Sequence, residues 1–163
     1  MATYTQPTDP ALLNPAVLAA DLRAEVERAS LYFASLDEAT ASQPLAPGKW
    51  CTRLTVGHLI DSAGNNLQRI VRLGIDESLD LPGYRQNEWV AVQRYDLRPW
   101  AEIRELWRAL NLHLAHVIAQ IDPAHLTRVW HFSEGDVTLG FIVEDYIAHL
   151  RHHLNALPEY SAQ

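Results

Sequence analysis

Apolar residues recur at three- and four-residue spacing through four long stretches of the chain, the period of a helix that buries one face. The first stretch opens at Asn14-Pro15, a capping residue followed by a proline in the first helical position, and carries Leu18, Leu22, Ala29, Phe33 and Leu36 on one side. It is expected to stop before Gln43-Pro44. After a Pro44 to Gly48 loop, Cys51 or Thr52 caps a second helix that runs to about Leu73, with Gly74 as its stop signal and Val56, Ile60, Ala63, Leu67 and Ile70 on its apolar side. The third helix begins at Pro99 and repeats Ile103, Leu106, Trp107, Leu110, Leu114, Val117 and Ile121 until Asp122-Pro123 forbids continuation. Thr138 caps the fourth, which turns Leu139, Ile142, Val143, Tyr146, Leu150, Leu154 and Leu157 inward and ends at Pro158.

Four amphipathic helices of this length predict an all-α chain folded as a four-helix bundle. The joins are uneven. Between the second and third helices, Ile75 to Arg98 form a long irregular connection with a Pro82-Gly83 turn and a short helix over Gln86 to Gln93. Connections of that length tend to be lids or walls of a site. Between the third and fourth, Ser133 to Asp136 make a turn that could join a small hairpin of Val129 to Phe132 and Val137 to Leu139.

A length of 163 residues with 48% apolar composition favours one domain over residues 1–163, with 1–10 expected as a flexible arm. The net charge of −7, without a basic run, argues against a nucleic-acid partner. Cys51 is the single cysteine, which rules out an intramolecular disulfide and every zinc site built on paired cysteines. With no secretory signal and no run of eighteen apolar residues, the expectation is a cytoplasmic protein that does not enter a membrane.

Eight histidines change the picture, because three of them, His149, His152 and His153, fall within five positions. Helical geometry puts His149 and His153 one turn apart on one flank of the fourth helix's apolar stripe. His152 lies about 100° further round. Two imidazoles one turn apart can clamp one ion, and bundle sites take further ligands from facing helices. His113, His116, His125 and His131 read as structural or solvated. His58 shares a stripe with Asp61, Asn65, Arg69 and Arg72, opposite the aliphatic side of the second helix. That stripe either meets water or lines a polar pocket, and in the second case the aliphatic side needs burial by other helices or by a second subunit, a hint of a homodimer.

Trp50-Cys51-Thr52, then Gly57-His58-Leu59-Ile60-Asp61-Ser62-Ala63, Tyr84 to Val90, and finally Tyr146 to Leu154 together resemble the DinB/YfiT-like superfamily of metalloenzymes. The resemblance implies a bundle holding one divalent ion through His58, His149 and His153. The family usually has Ser or Thr after the tryptophan; Cys51 stands there instead, leaving Thr52 to cap the helix and Cys51 as a small thiol whose role stays open.

Three neutral nitrogen ligands leave a coordination position open, as catalytic sites do. Zinc or nickel is the first expectation, with iron or manganese next. The resemblance further implies activation of a low-molecular-weight thiol, such as bacillithiol, mycothiol or glutathione, or of water, for attack on a small-molecule electrophile: an S-transferase or a hydrolase. Asp61 and Asp145, each one turn from a histidine, can accept a ring N–H. Glu88 and Trp89 can supply a general base and an apolar wall, and Asn65 and Arg69 can orient an anionic group. The competing reading is a nonenzymatic bundle that binds metal for stability or dimerises. A di-iron bundle is set aside because no Glu-x-x-His motif is present.

Overall fold

A computed structural model describes residues 9–160. Most of the expected N-terminal arm, residues 1–8, therefore lies outside the described residues, and Asp9 caps a 3-10 turn over Pro10–Leu12. The architecture is the expected helical bundle, built on four long helices: α1 (Pro15–Ser35), α3 (Thr52–Ile75), α5 (Trp100–Ala119) and α6 (Leu139–Asn155). Two short helices accompany them, α2 (Glu38–Ser42) and α4 (Gln86–Gln93).

Local chemistry sets most boundaries. The Asn14 side chain accepts from the backbone N–H groups of Ala16 and Val17, and Thr138 accepts from Phe141, so both expected caps are made. The first expected helix is broken, however, at Leu36-Asp37. There the Asp37 carboxylate accepts from the Thr40 N–H at 2.8 Å and starts α2, outcompeting continuation of α1. Cys51 occupies the cap position of α3 with no side-chain cap bond, and Thr52 is already helical, so Thr52 does not take over the cap. The helix also runs one residue past Gly74.

The irregular connections hold more order than their sequence promised. β2 (Val129–Phe132) and β3 (Gly135–Thr138) form an antiparallel hairpin, and β1 (Ser78–Asp80), from the connection between α3 and α5, pairs in parallel with β2. The second hairpin strand ends at Thr138 rather than Leu139, because Thr138 turns its hydroxyl to capping α6. A three-residue strand has no readable alternation, which is why β1 escapes the pattern.

The long helices do not pack in chain order. Both α1 and α3 pack against α5 and α6, so α1 and α3, though consecutive, are not principal partners, and neither are α5 and α6. Trp107 at the centre is fully buried, with its ring edge-to-face against Phe33 at 5.0 Å. The aliphatic side of α3 (Val56, Ile60, Ala63, Ile70) is buried within this same core. Burial of that side therefore needs no second subunit. The opposite stripe of α3 is also buried at His58, Asp61, Asn65 and Arg69, while Arg72 is exposed, so the stripe lines a polar interior and not the solvent face.

Candidate metal centre

His58 projects from the second turn of α3, and His149 and His153 from consecutive turns of α6. The packing of α3 on α6 turns all three Nε2 atoms toward one point. His149 Nε2 lies 3.2 Å from His58 Nε2 and 3.1 Å from His153 Nε2. The three ligand atoms all fall within 4.8 Å of one another, the one such cluster among the described residues. His152 stacks edge-on against His153 at 5.4 Å and stays out of the cluster.

Burial keeps the three rings neutral. It pulls His58 down to about 4, His149 to about 3 and His153 to about 4, with the neighbouring rings adding to the effect at His149 and His153. Neutral imidazoles cannot satisfy this geometry among themselves. The Ser62 hydroxyl sits 3.5 Å from His149 Nδ1. With the proton on Nδ1, His149 offers a single Nε2 lone pair that faces two other ring nitrogens and can accept from only one in line. A cation satisfies all three. For tetrahedral coordination at zinc–nitrogen lengths of about 2.0–2.1 Å the nitrogens lie about 3.3 Å apart, close to the two separations about His149. The donor set thus fits a divalent ion.

The surroundings differ in part from expectation. Asp61 does not reach an imidazole: its Oδ1 accepts from the Tyr95 hydroxyl at 2.7 Å and from Gln93 Nε2, tying α3 to the end of α4. Gly57 permits this, because a Cβ there would meet the Tyr95 ring at 2.3 Å. Asn65 donates to the Asp61 carbonyl within its own helix. His58 Nδ1 has no partner among the described residues, and the Trp50 ring covers His58 at 5.5 Å.

A cleft of about 720 Å³ opens beside the histidines. His149 and His153 line it together with Ser62, Arg69, Tyr84, Asp145 and an apolar wall that includes Trp130, Phe132 and Phe141. Arg69 is buried with its guanidinium 3.9 Å over the Trp130 ring. Glu88 lies at the rim, paired with Arg85 at 3.6 Å, and Trp89 braces Tyr84 edge-on at 5.1 Å without lining the cleft. Ser62 and Tyr84 were not singled out from the sequence as site residues. Ser62 is four residues from His58 on the same stripe, so spacing held the signal. Burial pushes the Tyr84 phenol up to about 12, and Tyr84 hydrogen-bonds Ser62. The remaining histidines lie elsewhere: His113 stacks on His116, and His131 pairs with Asp136 at 2.8 Å.

Comparisons with known proteins agree with this picture. The family model of the DinB superfamily matches residues 20–157. A curated protein of Bacillus mycoides (strain KBAB4), provisionally named a metal-dependent hydrolase, is 25% identical over 134 residues, covering 82% of this chain and 75% of that protein. The solved structure of YfiT from Bacillus subtilis, also provisionally described as a metal-dependent hydrolase with an unusual four-helix bundle topology, superposes with a TM-score of 0.83. It is 17% identical and spans 96% of this chain and 91% of its own.

Proposed function

Because the chain belongs to the DinB superfamily, we propose that it is a metal-dependent enzyme of the hydrolase type, in which His58, His149 and His153 hold one divalent ion against the cleft. The observation that carries this reading is the meeting of three neutral Nε2 atoms from two helices at 3.1–3.2 Å about His149. When bound, such an ion supplies Lewis acidity and makes a water or a thiol nucleophilic at neutral pH.

The protein's own groups do the rest. Ser62 accepts from His149 Nδ1–H, which fixes the tautomer and leaves Nε2 free to ligate. Tyr84, held protonated by burial, donates at the cleft wall. Trp50 keeps water from His58, and the apolar wall seats the carbon frame of a small substrate. Glu88, at the mouth, is the general base of this reading and receives the proton that the nucleophile gives up. The small thiol is the alternative source of the nucleophile, and the cleft has room for it beside an electrophile.

Metal analysis of untagged protein and of His149→Ala, followed by assays of 4-nitrophenyl acetate hydrolysis and of glutathione conjugation to 1-chloro-2,4-dinitrobenzene, tests the reading. One ion per wild-type chain, lost in the variant together with either turnover, is the expected result. Equal metal content in the two proteins would refute the ligand set. Bound metal without turnover of either kind would favour the nonenzymatic bundle.

A further inference from the structure

The wall of the cleft holds two opposite charges that form no ion pair with each other. Arg69, on α3, is 6% exposed; its terminal nitrogen donates to Asn66 at 3.1 Å, and its Nε has no partner among the described residues. Asp145, on α6, is half-buried and lines the same cleft, with no ion pair of its own among the described residues. The two sense each other electrostatically yet lie beyond ion-pair distance. The other charges on the cleft wall are occupied or peripheral. Arg85 and Glu88 pair with each other at the mouth, and Glu134 is exposed on the hairpin turn.

Removing a charge from water without a countercharge is costly, and Arg69 is buried while Asp145 is half-buried, so these two opposite charges on one cavity wall are an arrangement that a ligand can complete. The Arg69 guanidinium is held flat on Trp130, and Trp130 is itself stacked on Phe132 at 4.2 Å. That fixes the direction of its donors, and a planar fork of N–H groups suits a carboxylate. The Asp145 carboxylate suits an ammonium.

We propose that this cleft binds a substrate with a zwitterionic, α-amino-acid-like head, its carboxylate on Arg69 and its amine on Asp145, and an apolar body along Trp130, Phe132 and Phe141. The proposal rests on the cleft being the substrate site of the reading above, and it names the class of molecule the histidines would act on. Arg69 and Asp145 are binding residues in this assignment.

Three probes of one carbon frame test it: L-phenylalanine, 3-phenylpropionate, which lacks the amine, and 2-phenylethylamine, which lacks the carboxylate. Each is titrated into the protein with and without added zinc, by calorimetry and by the indole N–H signal of Trp130, which donates to the Leu81 carbonyl at 2.7 Å. Phenylalanine is expected to bind at least about tenfold more tightly than either single-charge probe, since one charge-assisted hydrogen bond to the ligand is worth about that much. Arg69→Met should abolish the gain from the carboxylate and Asp145→Asn the gain from the amine. Arg69→Lys, a milder change, should retain part of the first. Phenylalanine binding no tighter than 3-phenylpropionate or 2-phenylethylamine, or no binding of any probe, overturns the proposal on wild-type protein alone. A zwitterion preference without zinc binding would instead uphold this assignment and count against the metal reading.

Discussion

Replacing His149 by alanine should remove most of the stabilisation that zinc confers while leaving the metal-free protein nearly as stable as before. His149 is the hinge of the cluster, because its Nε2 is the atom in close reach of both other rings. Structural zinc sites with four ligands are worth roughly 10–16 kcal/mol, or about 3 kcal/mol per ligand, so losing one nitrogen should weaken binding by about a hundredfold or more. At a free zinc concentration of about one hundred times the wild-type dissociation constant, linkage adds about 2.7 kcal/mol to wild-type stability. For a chain of this length each kcal/mol raises the melting temperature by about 2–4 °C, giving a rise of roughly 5–11 °C. At the same concentration the variant gains only about 0.4 kcal/mol, or about 1 °C. Scanning fluorimetry with and without zinc reads both numbers, and His152→Ala, outside the cluster, should keep the full wild-type rise. A variant whose zinc-induced rise equals that of wild type would refute the coordination geometry.

Two further perturbations test the supports of the site. The cluster histidines titrate near 6.5 when unfolded and at about 4, 3 and 4 when folded, so below pH 6.5 the unfolded chain binds more protons. Metal-free stability should be full above pH 6.5 and fall as pH drops toward 4; urea unfolding at pH 7 and pH 5 should show a smaller loss for His149→Ala than for wild type, and equal losses would contradict the depressed values. Gly57→Ala places a methyl 2.3 Å from the Tyr95 ring, which must move and surrender its bond to Asp61. The expected cost is about 1–3 kcal/mol in urea unfolding, with Tyr95→Phe losing the hydrogen bond but not the packing and therefore costing less.

The helices were legible because their apolar faces repeat over four or more turns, and Asn14 and Thr138 announced their starts with side chains that bond where expected. The histidine cluster was legible in two ways. Helix spacing paired His149 with His153, and the family resemblance supplied His58, whose distance of 91 residues from His149 no local pattern can bridge. What stayed hidden depends on tertiary contact. Asp61 is one turn from His58 on the helix surface, yet Tyr95 and Gln93 claim its carboxylate from a segment whose path the sequence does not reveal. The break at Asp37 was missed because an aspartate inside an apolar period reads as a surface residue until its carboxylate finds a backbone N–H.

The packing order of the helices explains why a polar stripe on α3 becomes a site at all. Were α1 and α3 principal neighbours, as chain order would favour, α3 could bury its aliphatic side there and leave His58, Asp61, Asn65 and Arg69 in water. Instead α3 is wedged between α5 and α6, with Val56, Ile60 and Ile70 in the core while His58 meets the α6 histidines. The remaining opening is closed by the connection between α3 and α5, which contributes Tyr84 and Glu88 from one side, and by the β-hairpin, which contributes Trp130 and Phe132 from the other. Pairing β1 with β2 joins these two walls through backbone hydrogen bonds, so the cleft that faces the histidines is held by the sheet as well as by the bundle. The irregular segments are therefore a built part of the cleft wall, and their cost in chain entropy is offset by the strand pairing and by the burial of Leu79 and Trp130 beneath it.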